Sequence, residues 1–211
     1  MTREMAMPVR EADPLHVEPE ISSVQITRRR FSVDDYYHML EAGILTEADR
    51  VELIDGEVCE MSPIDPIHAA NVMRLDRQLQ KLVGDQAIVN VQNPIRLNDH
   101  NEPQPELTVL RWNDDFYAQQ HPTPADVLIA IEVANTSLVY DRKEKLPRYA
   151  EANIPEVWLV NIGRKTVEQY TKPLNGQYTA MQVVVPGQSI TAQTINELQI
   201  PVDQIFGRQS S

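Results

Sequence analysis

Short apolar runs and alternating apolar and polar positions predict several strands and helices in this chain. The most apolar run, residues 127–133, contains a single charged residue, Glu132. Both faces of the run are apolar, which is typical of a strand covered on two sides, although periodicity alone also allows a piece of buried helix. Burying an ionised carboxylate is costly unless it meets a cation, a metal or hydrogen-bond donors. Glu132 is therefore predicted to lie either at a solvated strand end or in a functional site.

Two further segments favour the functional site. Residues 105–112 have the pattern of another strand that opens with Glu106, and residues 140–152 have the pattern of a helix with Lys145 near its start. Two carboxylates on adjacent strands and a lysine are the composition of a divalent-metal phosphodiester site, because hard oxygen ligands bind Mg²⁺ and an ammonium group offsets developing negative charge. Pro147 predicts that the regular part of the helix begins late or bends there.

The remaining pattern predicts a mixed sheet in an α/β or α+β domain. Ser32 and Asp35 resemble a capping box at the start of a helix, and Asp141 with Glu144 suggests a second one. Asp55-Gly56 between two alternating runs predicts a two-residue hairpin turn. The other predicted elements are helices over 33–42 and 67–83, and strands over 87–92, 95–97, 156–162, 166–171 and 178–185.

Two polar residues in these elements, Glu52 and His68, have two interpretations each. Glu52 and Glu57 flank the hairpin turn, where they are either solvent-facing strand acids or, for Glu52, an outer ligand leaning over the site. His68 falls on the apolar stripe of the helix over 67–83, which is formed by Val72, Leu75, Leu79 and Leu82. It is either a satisfied core histidine or a polar group that reaches the site.

Composition places these elements in one domain. The chain has 211 residues, of which 42% are hydrophobic, enough for one well-buried domain predicted over 23–207. Residues 1–22 are acidic and proline-rich without periodicity, so we expect a disordered tail. The single cysteine, Cys59, permits no internal disulfide. Because the chain also lacks a signal-peptide core and an apolar run near the ~20 residues of a membrane helix, we expect a cytoplasmic protein without membrane contact.

The charge balance weighs against nucleic-acid binding, because the net charge is −12 and duplex binders usually carry a basic surface. The charge is uneven, however. Residues 141–172 hold seven basic and five acidic side chains. A homodimer that pools this surface would offer phosphate groups more positive charge than one subunit does.

Several ordered motifs together resemble the Uma-type restriction endonuclease family of the PD-(D/E)XK nuclease superfamily. Each motif alone is a weak signal, but the resemblance runs from about Phe31 to Phe206. The motifs are VELIDGE at 51–57, MSP at 61–63, His68, PQPE at 103–106, HPTPADVLIAIEV at 121–133, DRKEKLPRY at 141–149 and IPEVW at 154–158.

This resemblance implies a restriction-endonuclease-like fold, in which helices flank a mixed β-sheet, here with added N- and C-terminal hairpins. It also implies an endonuclease that hydrolyses DNA with Mg²⁺ or Mn²⁺ held by Glu106 and Glu132. The lysine usual two residues after the second acid is replaced by Ala134, so its catalytic role falls to Lys145. His68 and Glu52 match accessory positions. The family pattern has Asp where this chain has Glu106, which is one methylene longer.

Two other functions remain open from the sequence. The acidic charge and Glu106 favour a binding or regulatory protein that keeps the nuclease fold without its chemistry. A third interpretation is an oligomer-forming protein in which Glu132 and Lys145 form a merely structural ion pair. Binding of Mn²⁺ separates the nuclease from the binding or regulatory protein, and apolar replacement of both Glu132 and Lys145 tests the structural ion pair.

Overall fold

The computed structural model describes residues 28–46 and 48–207, so the predicted tail over 1–22 lies outside the described residues. The strands are β1 Val51–Ile54, β2 Glu57–Glu60, β3 Ala87–Val91, β4 Leu107–Arg111, β5 Val127–Ala134, β6 Glu156–Asn161, β7 Thr166–Leu174, β8 Gln177–Val184, β9 Ser189–Thr191 and β10 Gln199–Pro201. The α-helices are α1 Val33–Glu41, α2 Pro66–Val83, α3 Leu138–Tyr140, α4 Leu146–Glu151 and α5 Val202–Phe206. A 3₁₀ turn covers Gly84–Gln86, and a π-helical turn covers Asp141–Lys145.

Six strands form the central sheet in the order β3-β4-β5-β6-β7-β8. All neighbours are antiparallel except β5 and β6, which are parallel. A parallel pair needs a crossover connection, and the chain makes it through α3, the π-helical turn and α4. The predicted mixed sheet flanked by helices is therefore confirmed.

The sheet is covered on both faces, as the apolar run in β5 predicted. Ile129, Ile131 and Val133 pack in the cluster that contains the apolar side of α2 and the C-terminal elements. Ala130 packs in the other cluster with Tyr149 of α4. Since side chains alternate along a strand, Glu132 shares the face of Ala130 and points toward α4.

The N-terminal hairpin of β1 and β2 forms a separate two-stranded sheet. Asp55 and Gly56 at its turn have φ values of +51° and +72°, as the primed turn requires. Gly56 also packs against the chain at Arg30 and Phe31, where an added Cβ would lie 2.6 Å from Arg30 Cβ. This close approach fixes the hairpin, and with it Glu52, against the segment that leads into α1.

Most predicted elements agree with the structure within one to three residues, with three corrections. Residues 95–97 are not a strand. Leu82 is 36% exposed, and Val83 completes the buried stripe instead, because Leu75, Leu79 and Val83 follow each other at four-residue spacing. Asp141 does not cap a helix, as described below. The capping box of Ser32 and Asp35 is confirmed. The domain bounds 23–207 stay a prediction.

Candidate active site

A cavity of about 280 Å³ opens where β4 begins and β5 ends. It brings together residues from the N-terminal hairpin, α2, the central sheet and the β5–β6 crossover. Acidic side chains outnumber basic ones in its walls. The residues used below are Glu52, His68, Glu106, Glu132, Asp141 and Lys145, all of which line the cavity.

Glu106 and Glu132 come together through strand register. Leu107 of β4 pairs with Ile131 of β5 in antiparallel register, so one further step places Glu106 opposite Glu132. Residues directly opposite in an antiparallel pair share a face, with Cβ atoms about 4.5–5.5 Å apart. The sheet therefore presents two carboxylates side by side at the wall of the cavity.

Lys145 lies between two buried carboxylates. Its Nζ is 2.9 Å from Glu52 Oε2 and 3.2 Å from Glu132 Oε1, and the residue is only 4% exposed. The hydroxyl of Tyr149 donates to the same Glu132 Oε1 at 2.6 Å. Because both contacts are made to Oε1, and no donor to Oε2 is found among the described residues, the second oxygen of Glu132 is available to a ligand.

The local chain conformation explains how Lys145 reaches Glu132. The N–H of Leu146 donates to the carbonyl of Asp141, five residues back, which is the π-helical pattern. Pro147 has no N–H to continue the α-helical pattern, and the regular helix α4 begins only at Leu146. The late helix start that Pro147 predicted is confirmed. The four-residue spacing of Lys145 and Tyr149 then brings both to one face.

Asp141 is a wall residue of the cavity rather than a helix cap. Its carboxylate accepts a hydrogen bond from the Ser137 hydroxyl at 2.8 Å, and the residue is 4% exposed. The predicted capping box with Glu144 is wrong because Asp141 lies within the π-helical turn and not at a free helix N-terminus.

Glu106 is held by two side chains from different elements. His68 Nε2 lies 2.9 Å from Glu106 Oε1, and Gln92 Nε2 donates to Glu106 Oε2 at 2.8 Å. His68 sits in the first turn of α2 and is 9% exposed. It is thus the polar group that reaches the cavity, the second of the two interpretations, and its hydrogen bond to Glu106 raises the pKa of the imidazole.

Glu52 is buried in the cavity wall, and the solvent-facing interpretation is wrong for it. Its residue exposure is 3%, whereas Glu57 across the turn is exposed. The backbone N–H of Gln104 donates to Glu52 Oε2 at 3.0 Å, and the Tyr140 hydroxyl donates to Oε1 at 3.3 Å. Glu52 therefore holds the ammonium of Lys145 together with Glu132.

The cavity carries more buried negative than positive charge. Burial raises the pKa of Glu132 to about 8 and the pKa of Asp141 to about 6, although the charge of Lys145 lowers both. Burial alone would lower the pKa of Lys145, but the charges of Glu132, Glu52 and Asp141 outweigh it and raise that pKa. One ammonium cannot neutralise three carboxylates, so the lysine keeps its proton while the carboxyl groups of Glu132 and Asp141 resist ionisation.

These residues fit a hard divalent cation by their donor chemistry. A cation would relieve the excess negative charge, and carboxylate oxygens are the ligands that Mg²⁺ prefers. Within residues 28–46 and 48–207, no group of three or more His, Cys, Asp or Glu side chains forms a complete metal site. Mg²⁺ usually keeps several waters and needs only one or two carboxylates, which the pair Glu106 and Glu132 can supply.

Sequence reasoning missed several members of this site. Tyr149 had a signal, since it lies one helical turn after Lys145. Gln92, Gln104 and Tyr140 had none, because their contacts join positions 14, 52 and 88 residues apart. Such contacts depend on the tertiary fold.

Comparison with known proteins agrees with this architecture. The family model Uma2, described as "Putative restriction endonuclease", matches residues 33–203. Among solved structures, the chain is similar to one described as "a putative nuclease belonging to DUF820" from Anabaena variabilis ATCC 29413, with a TM-score of 0.69 and 16% identity over 83% of this chain and 97% of that chain. No curated protein matches the sequence.

The fold defines a restriction-endonuclease-like α/β protein. The chain belongs to the Uma2 family, because the family model covers most of its length. None of the helices in the described part of the chain is long and apolar enough to cross a membrane.

Proposed function

We propose that this protein is a metal-dependent nuclease that hydrolyses phosphodiester bonds in DNA. The observation that supports it is the cavity in which Glu106 and Glu132 face each other beside the buried ammonium of Lys145. Membership of a family described as restriction endonucleases agrees with a nucleic-acid substrate.

Glu106 and Glu132 would hold Mg²⁺ or Mn²⁺ in this proposal. When bound, the cation would polarise a phosphate oxygen and lower the pKa of a coordinated water. His68 and Gln92 orient Glu106 by hydrogen bonds to its two oxygens, and Tyr149 orients Glu132. These contacts fix both carboxylates before substrate arrives, which is the preorganisation that catalysis needs.

Lys145 supplies a fixed positive charge beside the phosphate. Its raised pKa keeps the ammonium protonated at neutral pH, so it acts by stabilising the negative charge of the transition state and not as a general base. Glu52 accepts one of its hydrogen bonds and thereby positions the ammonium group. Glu52 is a positioning residue.

Cleavage of plasmid DNA by the purified protein in Mg²⁺ or Mn²⁺ tests the proposal. We expect Glu132→Gln to reduce the rate by about 100-fold or more. Glu156→Gln is the matched control, because Glu156 is a buried carboxylate on the neighbouring strand β6 that does not line the cavity. Activity that survives in Glu132→Gln would come from a contaminating nuclease and would reject the assignment.

A second function, binding or regulation without chemistry, is favoured by one observation. Both oxygens of Glu106 are engaged by His68 and Gln92, which leaves each oxygen fewer free lone pairs for a cation. Calorimetric titration with Mn²⁺ separates the two functions. Micromolar binding that is lost in Glu106→Ala supports the nuclease, and absence of binding supports the binding protein.

The basic region over 141–172 offers DNA less positive charge than the sequence suggests. Lys145 is buried, while Arg142 pairs with Glu168 and Arg148 pairs with Asp55. A homodimer that pools the remaining basic side chains stays a prediction. Light scattering with and without DNA measures the mass of the protein in solution and so shows whether the homodimer forms.

A further inference from the structure

A second cavity, of about 380 Å³, lies beside α1 and the loop between β4 and β5, outside the carboxylate site. The proposed cleavage uses none of its residues. Those that matter here are Tyr37, Arg96, Glu102 and His121. Its volume lies in the range of small-molecule pockets.

Two aromatic rings in its walls are nearly parallel. The rings of Tyr37 and His121 are inclined by 20°, with centroids 6.4 Å apart. The Tyr37 hydroxyl donates to Glu102 Oε1 at 2.7 Å, which fixes the Tyr37 ring. The backbone N–H of Arg96 donates to the carbonyl of Pro122 at 2.9 Å and so fixes the backbone next to His121. Flat faces held in this way are surfaces on which unpaired nucleobases stack.

Glu102 is an unsatisfied buried acceptor in the same wall. The residue is 2% exposed, and its Oε2 is buried without a hydrogen-bond partner among the described residues. An unpaired buried carboxylate oxygen is destabilising. A ligand that brings N–H donors would remove this penalty.

The carboxylate of Glu102 accepts hydrogen bonds, so it favours a nucleobase that presents N–H donors. Guanine presents two adjacent donors, N1–H and the 2-amino group, to one carboxylate. Uracil and thymine place carbonyl oxygens on both sides of their single N–H, and a carboxylate repels these. Among the described residues, the guanidinium of Arg96 is held only by exposed Asp34 and Asp99, at 3.3 and 3.5 Å. Such surface pairs are weak, so the guanidinium can turn to a phosphate.

We propose that the cavity lined by Tyr37 and His121 binds a guanine nucleotide, presented by a nucleic-acid strand or as a free nucleotide. Only the role of this cavity in cleavage rests on the proposed nuclease function. Glu102 lines this cavity and Glu106 lines the first one. Four residues of chain span at most about 14 Å, so the Cα atoms of Glu102 and Glu106 lie no farther apart than that. A guanine bound here by a strand that also reaches the first cavity would set which bond is cut.

The first arm of the test is calorimetric titration of the full chain in EDTA, where cleavage plays no part. We expect guanosine 5′-monophosphate to bind at least about tenfold more tightly than uridine 5′-monophosphate. His121→Ala should weaken guanine binding about tenfold through lost stacking, whereas His38→Ala, at an exposed histidine of α1 outside the cavity, should not. Glu102→Gln should remove the preference for guanine. Arg96→Gln should weaken the monophosphate but not guanosine.

The second arm uses fluorescence anisotropy with hairpin oligonucleotides that carry one unpaired guanine or one unpaired thymine. A guanine preference in this arm alone assigns the site to a strand, and a preference in both arms assigns it to either source. No guanine preference in either arm, or one that survives both His121→Ala and Glu102→Gln, overturns the proposal. Guanine binding that persists in a preparation without nuclease activity leaves this site standing and rejects only the nuclease.

Discussion

Gln92 contacts Glu106 twice, once through the backbone and once through the side chain. The Gln92 backbone N–H donates to the Glu106 carbonyl at 3.0 Å, and Gln92 Nε2 donates to Glu106 Oε2 at 2.8 Å. The two positions face each other because the β3–β4 register, in which Val91 pairs with Leu107, extends by one step. The residue that follows the edge strand β3 therefore sets the position of the Glu106 carboxylate.

This arrangement predicts that Glu106→Asp does not improve the site. Shortening the side chain by one methylene withdraws the carboxylate by roughly 1.5 Å from His68 and Gln92, its two hydrogen-bond partners. Because loss of such orienting contacts weakens metal sites about 10- to 100-fold, we expect a comparable loss of Mn²⁺ affinity in calorimetry. Glu57→Asp, at an exposed position outside the cavity, serves as the control. Equal or tighter binding by Glu106→Asp would show that these contacts do not tune the site.

Replacement of Lys145 tests the buried charge network by stability. We expect Lys145→Met to lower the free energy of unfolding by about 3–5 kcal/mol, because it leaves Glu132 and Glu52 buried without their cation. Adding Glu132→Gln to Lys145→Met should recover part of that loss. As a control, Lys143→Met alone, at an exposed neighbour, should change the free energy of unfolding by less than about 0.5 kcal/mol. Urea denaturation measures all three variants.

A double variant in which apolar residues of similar size replace both Glu132 and Lys145 addresses the interpretation of these two residues as a purely structural pair. If the pair has no other role, apolar replacement of both residues leaves stability unchanged or improved, and binding of Mn²⁺ is absent from the wild-type protein as well. Mn²⁺ binding by the wild type that disappears in the double variant contradicts a purely structural role.

The contribution of Asp141 to stability without metal should fall as the pH rises. The pKa of Asp141 is raised from 3.8 to about 6 in the folded protein, so the folded state binds more protons than the unfolded state between these values. This stabilisation is complete below pH 3.8 and disappears as the pH rises through 6. We expect a loss of about 2–3 kcal/mol from Asp141.

Urea denaturation in EDTA at a series of pH values measures this effect. Asp141→Asn keeps a neutral side chain at every pH, so its stability should fall less steeply. Glu132, whose pKa is raised to about 8, adds a decline of the same sign that persists in the variant. Identical pH profiles of the wild type and Asp141→Asn would show that Asp141 ionises freely in the folded protein.

Gly56 predicts a stability contrast between two glycines with positive φ. A Cβ at Gly56 would lie 2.8 Å from the Phe31 carbonyl oxygen, whereas a Cβ at Gly43 would meet nothing within 4 Å. Both residues have φ near +70°, so the conformational strain of alanine is matched. We expect Gly56→Ala to be more destabilising than Gly43→Ala by about 1–3 kcal/mol in thermal denaturation. Equal effects would mean that the hairpin shifts freely away from residues 30–31.

Local patterns in the sequence predicted much of this fold. The apolar run of β5, the Asp55-Gly56 turn, the four-residue spacing in α2 and the capping box at Ser32 each depend on residues close together in the chain. Their geometry follows from backbone preferences and side-chain periodicity, which act over a few residues. The pattern also predicted that Glu132 needed a partner.

Only the tertiary structure decided which partners the polar residues have. The register of β4 and β5 sets Glu106 opposite Glu132, the hairpin brings Glu52 to Lys145, and the π-helical turn moves Asp141 from a predicted cap into the cavity wall. The second cavity likewise joins Tyr37 to His121 and Glu102. The sequence determined which residues needed charge or hydrogen-bond partners. The periodicity of an apolar segment predicts that the segment is buried, and a polar residue within it then needs a partner. Which partners these residues meet depends on contacts between segments that are distant in the chain. Periodicity is a local property and does not predict such contacts.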